Sequence, residues 1–285
     1  MSEFSDGYWT SNDGLQLYYR DYPGRNDRPP VLCLHGLTRN SRDFTGLAKH
    51  LSGEWRVICP DMRGRGDSEY AKAAESYNAI QYVQDVKLLL DELGIDRFVA
   101  VGTSMGGLMA MLMAMKWPER LAGVVFNDIG TVLEKPGLER IKEYVGQGRN
   151  FPTWVHAARA LAETQGEAHP NFELSDWVEM AKRTMTLTSN GRIVLDYDLK
   201  IAEPFLELDL DNQPDMTPAI DALADTPVLI LRGAVSDLLS VHTCEAMMAR
   251  LSNAEVVTVP DVGHAPLLTE DVAVAAIERL LAKVA

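Results

Sequence analysis

The chain has 285 residues, 46% of them hydrophobic, which is enough to bury one large core. Its formal net charge of -14 argues against a nucleic-acid partner, because binding to phosphates relies on a basic surface that displaces counterions. We therefore expect a small-molecule ligand and no nucleic-acid partner, in a monomer or a homodimer.

The sequence has no recognisable secretory signal or membrane anchor. Residues 1–6 lack a basic region followed by an apolar stretch. The longest apolar candidate, residues 105–115, is interrupted by glycines and is shorter than the roughly 18 residues that a bilayer requires. The cysteines, Cys33, Cys59 and Cys244, are odd in number and are interpreted as core thiols of a reducing compartment. We expect a cytoplasmic protein without membrane contact.

Alternating strand and helix patterns run along most of the chain. A turn signal at residues 12–14 separates two short strand patterns and predicts a hairpin at the sheet edge. Short β-branched runs then indicate buried parallel strands at 31–34, 57–59, 98–101, 124–126, 228–231 and 256–259. Helical periodicity fills several of the intervals, beginning with a helix after the N-cap residue Asn78, and returns in the last segment. The fold class is therefore α/β, with a mostly parallel sheet and helices on both faces.

The strand rhythm stops between about residues 129 and 223. Helical stretches bounded by prolines replace it in this part of the chain. We predict a core domain formed by residues 1–129 and 224–285, with a helical cap inserted as residues 130–223.

Ser104 lies in a G-x-S-x-G motif between an apolar strand pattern and a helix-forming run. A serine on such a sharp turn projects from the end of the sheet, and Gly102 and Gly106 relieve the crowding that the turn creates. The N-terminal end of the following helix stabilises developing negative charge nearby. Ser104 is therefore the candidate nucleophile.

A serine hydroxyl reacts only when a base takes its proton, and His264 is the best candidate for that base. It follows the last predicted strand and precedes the last helix, so its loop can reach over the carboxyl edge of the sheet. The base needs an orienting carboxylate. We favour Asp237, after the strand at 228–231, and keep Asp128, after the strand at 124–126, as the alternative because its strand lies beside that of the nucleophile.

Two backbone N–H groups are expected to hold an oxyanion near the nucleophile. One belongs to Met105, directly after Ser104, and the other to Leu37, in the loop after the strand at 31–34. His35 is interpreted as a structural residue that fixes this loop, and Gly36 lets the backbone turn.

Four motifs in this order resemble those of the capped α/β-hydrolase superfamily, over nearly the whole chain. They are His35-Gly36, the D-x-R-G-x-G-x-S segment at 61–68, the G-x-S-x-G motif at 102–106, and Gly263-His264. The resemblance implies that Asp61 and Arg63 brace the floor of the active site. It also implies acyl-type chemistry, since haloalkane dehalogenases and epoxide hydrolases of this superfamily have an aspartate where this chain has Ser104.

The serine branch of the superfamily includes carboxylesterases, enol-lactonases, carbon–carbon bond hydrolases of meta-cleavage products, perhydrolases and slow hormone sensors. Meta-cleavage hydrolases usually have asparagine and tryptophan where this chain has Thr103 and Ala265, which weakens that alternative. We expect a serine hydrolase of a small carboxylic ester or lactone, acting through an acyl-enzyme without cofactor or metal. Trp154 and His156 of the cap are the candidate substrate contacts.

Overall fold

The computed structural model describes residues 3–285 and contains one large and one small sheet. The strands in chain order are β1 (Ser5–Thr10), β2 (Gln16–Tyr22), β3 (Val31–Leu34), β4 (Val57–Pro60), β5 (Phe98–Thr103), β6 (Leu121–Asn127), β7 (Asn150–Phe151), β8 (Met185–Leu187), β9 (Ile193–Leu195), β10 (Val228–Gly233) and β11 (Ala254–Val259). The large sheet has eight strands in the order β1-β2-β4-β3-β5-β6-β10-β11. All its pairs are parallel except β1–β2 and β2–β4. The predicted hairpin therefore forms the edge of a mostly parallel sheet.

Helices cover both faces of this sheet, as the sequence predicts. In chain order they are α1 (Thr45–Leu51), α2 (Ala79–Glu92), α3 (Met105–Lys116), α4 (Lys135–Tyr144), α5 (Trp154–Gln165), α6 (Leu174–Thr184), α7 (Ala202–Leu206), α8 (Thr217–Asp221), α9 (Val241–Met248) and α10 (Asp271–Ala282). Successive strand residues point to opposite faces, so Phe98 packs with α2 and α3 while Val99 packs with α1 and α10. The α/β fold class is confirmed.

The segment between β6 and β10 contains α4 to α8 and a small antiparallel sheet in the order β7-β9-β8. The sequence predicts helices alone in this segment, because strands of two or three residues are too short to show a periodicity. Helices α5 and α6 form a core of their own around Leu161 and Trp177. At the end of the segment, Ile220 and Leu223 pack instead into the main core.

Cys33, Cys59 and Cys244 are free thiols, and all three are buried, in agreement with the sequence interpretation. Among the helices within residues 3–285, none combines the length and apolar character that crossing a bilayer requires.

The segment at 61–68 is anchored by buried charges. The Arg63 side chain is fully buried and donates bidentate hydrogen bonds of 2.8 Å to Asp85 and of 2.9 Å to Asp13. The Asp61 carboxylate accepts the N–H groups of Ser41 at 2.6 Å and Asp67 at 3.0 Å, and burial raises its pKa to about 6. These contacts tie the segment at 61–68 to the turn between β1 and β2 and to α2.

We predict that Arg63→Met lowers the free energy of unfolding by about 3–5 kcal/mol, because it leaves the Asp85 carboxylate buried without its counter-charge. Burial raises the pKa of Asp85, whereas the hydrogen bonds from Arg63 lower it, so Arg63 favours the ionised form of this buried carboxyl. Urea denaturation followed by tryptophan fluorescence measures the change.

The control is Arg279→Met, which removes an arginine whose side chain is 52% exposed and paired with Glu255. It should cost about 1 kcal/mol or less, as exposed ion pairs do. Equal losses in the two variants would contradict a structural role for the buried pair.

Candidate active site

Ser104 occupies a sharp turn between β5 and α3. Its backbone has φ 52° and ψ -117°, a conformation that non-glycine residues rarely adopt. A Cβ atom on Gly102 would lie 2.5 Å from the backbone of Gly106, and one on Gly106 would lie 2.0 Å from the carbonyl oxygen of Leu34. The two glycines therefore permit the close approach of α3 to the strands that turns the Ser104 side chain outward.

Ser104, His264 and Asp128 form a continuous hydrogen-bonded chain. The Oγ atom of Ser104 lies 2.9 Å from Nε2 of His264, and Nδ1 of His264 lies 2.8 Å from Oδ2 of Asp128. An ionised carboxylate only accepts hydrogen bonds, so Nδ1 carries the proton and Nε2 is left to accept the hydroxyl hydrogen of Ser104. This arrangement can remove a proton from the serine hydroxyl and hold the resulting imidazolium against a carboxylate.

The structure corrects the preferred carboxylate, because Asp237 does not contact His264. It pairs with Arg140 of α4, with its Oδ2 2.5 Å from Nε and its Oδ1 2.8 Å from Nη2. Asp128 directly follows β6, which is hydrogen-bonded to the strand that precedes Ser104, whereas Asp237 follows β10, one strand farther away. Both residues lie between Ser104 and His264 along the chain, so chain order could not distinguish them.

The loop that carries Asp237 still contributes to the site by holding Asp128. The Oδ1 atom of Asp128 accepts the N–H of Gly233 at 2.8 Å, and Oδ2 accepts the hydroxyl of Ser236 at 2.6 Å. The Asp128 side chain is fully buried, and 8% of the His264 side chain is exposed. The carboxylate therefore has one fixed orientation toward the imidazole.

The backbone N–H groups of Leu37 and Met105 donate to no acceptor within residues 3–285. Leu37 lies in the same cavity as Ser104, and a Cβ atom on Gly36 would be 3.7 Å from the Cβ of Ser104. Unpaired donors beside a serine can hold a negatively charged oxygen.

His35 and Arg65 fix the loop that carries Leu37. Nε2 of His35 accepts the N–H of Met62 at 3.0 Å, so Nδ1 donates to the carbonyl oxygen of Gly36 at 2.8 Å. That carbonyl belongs to the same planar peptide as the Leu37 N–H, so holding one group orients the other. Arg65 donates to the Leu37 carbonyl at 2.9 Å. Burial lowers the pKa of His35 to about 3, which keeps the ring neutral.

Ser104 and His264 open into a cavity between core and cap, with about 740 Å³ of empty space that includes some open solvent. The core loop and the cap both contribute polar and apolar side chains to its wall, among them Arg39, Asp43, Ile141, Tyr144, Gln165, His169, Met180 and Leu267. Their positions depend on how the cap docks over the sheet. These residues could not be predicted from the sequence, because no local motif marks that docking.

The structure also corrects the two predicted cap contacts, since neither Trp154 nor His156 lines this cavity. Trp154 packs against the core of the cap. His156 is exposed at the start of α5, where its Nδ1 lies 2.8 Å from the hydroxyl of Thr153. Both residues belong to the first turn of α5, which does not face Ser104.

His169 is the cap histidine that does line the cavity. Its ring is buried and stacks on Phe172 with a centroid distance of 4.5 Å. Burial lowers its pKa to about 4, and its Nδ1 has no hydrogen-bond partner within the described chain. The preceding residue, Ala168, accepts the N–H of Gly263 at 2.7 Å, so the cap is bonded to the residue before His264.

Comparisons with known proteins agree with this architecture. The chain is 55% identical to an alpha/beta hydrolase from Novosphingobium aromaticivorans whose crystal structure is known, with a TM-score of 0.95 and complete coverage of both chains. It is 34% identical over 270 residues to the 3-hydroxybutyrate-oligomer hydrolase of Cupriavidus necator, covering 91% of this chain and 90% of that relative. It is 27% identical over 236 residues to the 2-(acetamidomethylene)succinate hydrolase of Mesorhizobium japonicum, covering 83% and 81% of the two chains.

A family model describing the alpha/beta hydrolase fold matches residues 29–271, which include Ser104, Asp128 and His264. With that match and the similarity to curated hydrolases over most of its length, the chain belongs to the α/β-hydrolase family.

Proposed function

We propose that this chain is a serine hydrolase that cleaves small carboxylic esters, including cyclic esters. The observation that carries the proposal is the hydrogen-bonded chain from Ser104 through His264 to the buried Asp128. A serine hydroxyl is a poor nucleophile unless a base accepts its proton. The hydrogen bond to His264 supplies such a base in the tautomer that the reaction needs.

In the proposed reaction, Ser104 attacks the ester carbonyl while Nε2 of His264 takes the hydroxyl proton. The N–H groups of Leu37 and Met105 stabilise the negative oxygen of the tetrahedral intermediate. His264 then returns the proton to the leaving alcohol, and an acyl-enzyme remains on Ser104. Water, activated by the same imidazole, releases the acid and restores the serine.

One relative supports an ester as the substrate. The name of the Cupriavidus necator relative describes oligomers of 3-hydroxybutyrate as its substrates, and their units are joined by ester bonds. The cavity above Ser104 is enclosed by both core and cap and suits a short acyl group. Short esters are therefore the first substrates to test.

The first prediction concerns the nucleophile. Ser104→Ala should lower kcat on short p-nitrophenyl esters by about 10⁶-fold, as expected when the members of a triad act as a unit. Multiple-turnover assays measure release of nitrophenol, with an initial burst if acyl-enzyme hydrolysis is slow.

Ser5→Ala is the matched control, since Ser5 is exposed on β1 at the sheet edge. It should leave the rate unchanged. Turnover that survives Ser104→Ala would reject the proposal, and a single turnover without recycling would indicate a ligand sensor.

The second prediction separates the two candidate carboxylates. Asp128→Asn should lower kcat by about 10⁴-fold, because the amide can donate to Nδ1 and so favours the imidazole tautomer that cannot accept the proton of Ser104. Asp237→Asn should retain nearly full activity, because Asp237 pairs with Arg140. If Asp237→Asn lowered kcat more than Asp128→Asn, Asp237 would be the carboxylate that orients His264.

The third prediction is a pH profile. We expect activity to be lower at about pH 5 than at about pH 8, because an imidazole in its protonated form cannot accept the serine proton. His35 and His169 do not titrate in this range, since burial lowers their pKa values to about 3 and about 4. The measurement is kcat/KM across this range, and a flat profile under conditions where chemistry limits the rate would contradict the mechanism.

Asp61 titrates in the same pH range, but its protonation on acidification stabilises the folded protein rather than weakening it. Burial raises its folded pKa to about 6, so its contribution to stability is present below the unfolded value of 3.8 and is lost as pH rises through about 6. Acidification to about pH 5 therefore does not unfold the protein through this group. Full recovery of activity on return to about pH 8 serves as the control for unfolding.

A further inference from the structure

A second cavity adjoins the one above Ser104. It has about 600 Å³ of empty space, again including some open solvent. Four residues line both cavities: Thr38, Arg39, Tyr144 and Gln165. The two cavities therefore adjoin at these side chains, which places the second cavity next to the one that contains Ser104.

The charge of the second cavity is opposite to that of the chain. Arg39 and Arg149 line it, and no aspartate or glutamate of residues 3–285 does. The whole chain has 41 acidic and 27 basic side chains, so a wall with cations alone is unusual for it. Arg39 is paired with Asp43 of the adjoining cavity, so Arg149 supplies the positive charge that no acidic side chain of residues 3–285 neutralises, and this charge favours an anionic ligand.

Arg39 retains free donors at the junction of the cavities. Its Nε and Nη2 atoms bind the Asp43 carboxylate at 2.5 and 2.8 Å, which occupies one edge of the guanidinium. Its Nη1 has no hydrogen-bond partner in the described part of the chain, so a second carboxylate can bind on the other edge. Arg149 makes no ion pair within residues 3–285, and its Nη2 contacts Gln147 at 3.3 Å.

The second cavity also has apolar lining, to which Phe151, Leu161 and Leu195 contribute. An apolar wall beside two guanidinium groups fits a short hydrocarbon segment that ends in a carboxylate. A neutral hydrocarbon ligand would leave Nη1 of Arg39 and most donors of Arg149 without an acceptor.

We propose that the second cavity binds the carboxylate-bearing tail of an elongated ester whose carbonyl is attacked by Ser104. This inference rests on the proposed function and adds the substrate class: esters that carry a free carboxylate a few bonds from the scissile carbonyl. Arg149 and the free edge of Arg39 hold the carboxylate, and the apolar wall contacts the intervening carbons.

The test uses two substrates with the same scissile ester, a 3-acyloxybutyrate and the corresponding 3-acyloxybutyramide. The amide replaces the carboxylate by a neutral group of similar shape. The unmodified protein should have a kcat/KM about 10-fold higher for the carboxylate, the size expected of a charge-assisted hydrogen bond. The preference should shrink with added salt, which screens the partly exposed cations.

Arg149→Gln should abolish most of this preference by raising KM for the carboxylate substrate, while the amide is cleaved as before. Arg159→Gln is the matched control, because Arg159 is also an exposed cap arginine but lines neither cavity. It should leave both substrates unaffected. Equal effects of Arg149→Gln on both substrates would indicate a structural role and overturn the proposal.

Failure of the inference differs from failure of the proposed function. Hydrolysis of both substrates that depends on Ser104 but shows no carboxylate preference overturns the tail-binding cavity and leaves the esterase intact. Absence of Ser104-dependent hydrolysis for these and all other esters overturns both. Calorimetric binding of the carboxylate substrate to Ser104→Ala, compared with Ser104→Ala/Arg149→Gln, tests the cavity without turnover, and equal affinities would overturn it.

Discussion

The site depends on how closely α3 approaches the strands at the turn around Ser104. Glycine at 102 and 106 lets backbone meet backbone where any Cβ atom would overlap neighbouring atoms. The turn forces a positive φ on Ser104, a conformation that costs free energy and that the surrounding packing must hold. The same approach leaves the Met105 N–H at the start of α3 without an acceptor among residues 3–285, so one backbone constraint presents both the hydroxyl and a donor beside it.

The supports around this turn are arranged in layers. His35 and Arg65 act on carbonyl groups and thereby orient the opposite ends of the peptides that face the cavity. Arg63 lies behind them and is neutralised by two carboxylates. A buried guanidinium is tolerated only with such partners, and each partner in turn fixes a separate part of the chain, β1–β2 through Asp13 and α2 through Asp85.

The sequence was sufficient for the features that local patterns encode. Buried strands have short β-branched runs, and the sharp turn at Ser104 requires small residues at fixed offsets, so the sheet and the position of Ser104 could be predicted. The position of His264 followed from the loop between the last strand and the last helix. The carboxylate could not be chosen in this way, because Asp128 and Asp237 both follow parallel strands. The choice depends on which side chain meets the imidazole and which meets Arg140, and both are tertiary contacts.

The cavity wall was the least predictable part for a related reason. Helical periodicity identifies an apolar face of α5, but it does not say whether that face packs within the cap or toward the sheet. Trp154 packs within the cap, whereas the buried His169 reaches the cavity from a connection that has no periodicity of its own. Residues brought together only by the docking of cap on core have no signature in the sequence around them.

The hydrogen bond from Gly263 to Ala168 joins cap and core directly beside His264. The donor, Gly263, precedes His264 in the chain. The acceptor, Ala168, precedes His169, whose ring stacks on Phe172. Opening of the cap at this hydrogen bond would release the loop that carries His264, and with it the hydrogen bond from His264 to Ser104. An opening elsewhere between cap and core would let a ligand enter while the hydrogen bond from Gly263 to Ala168 remained intact.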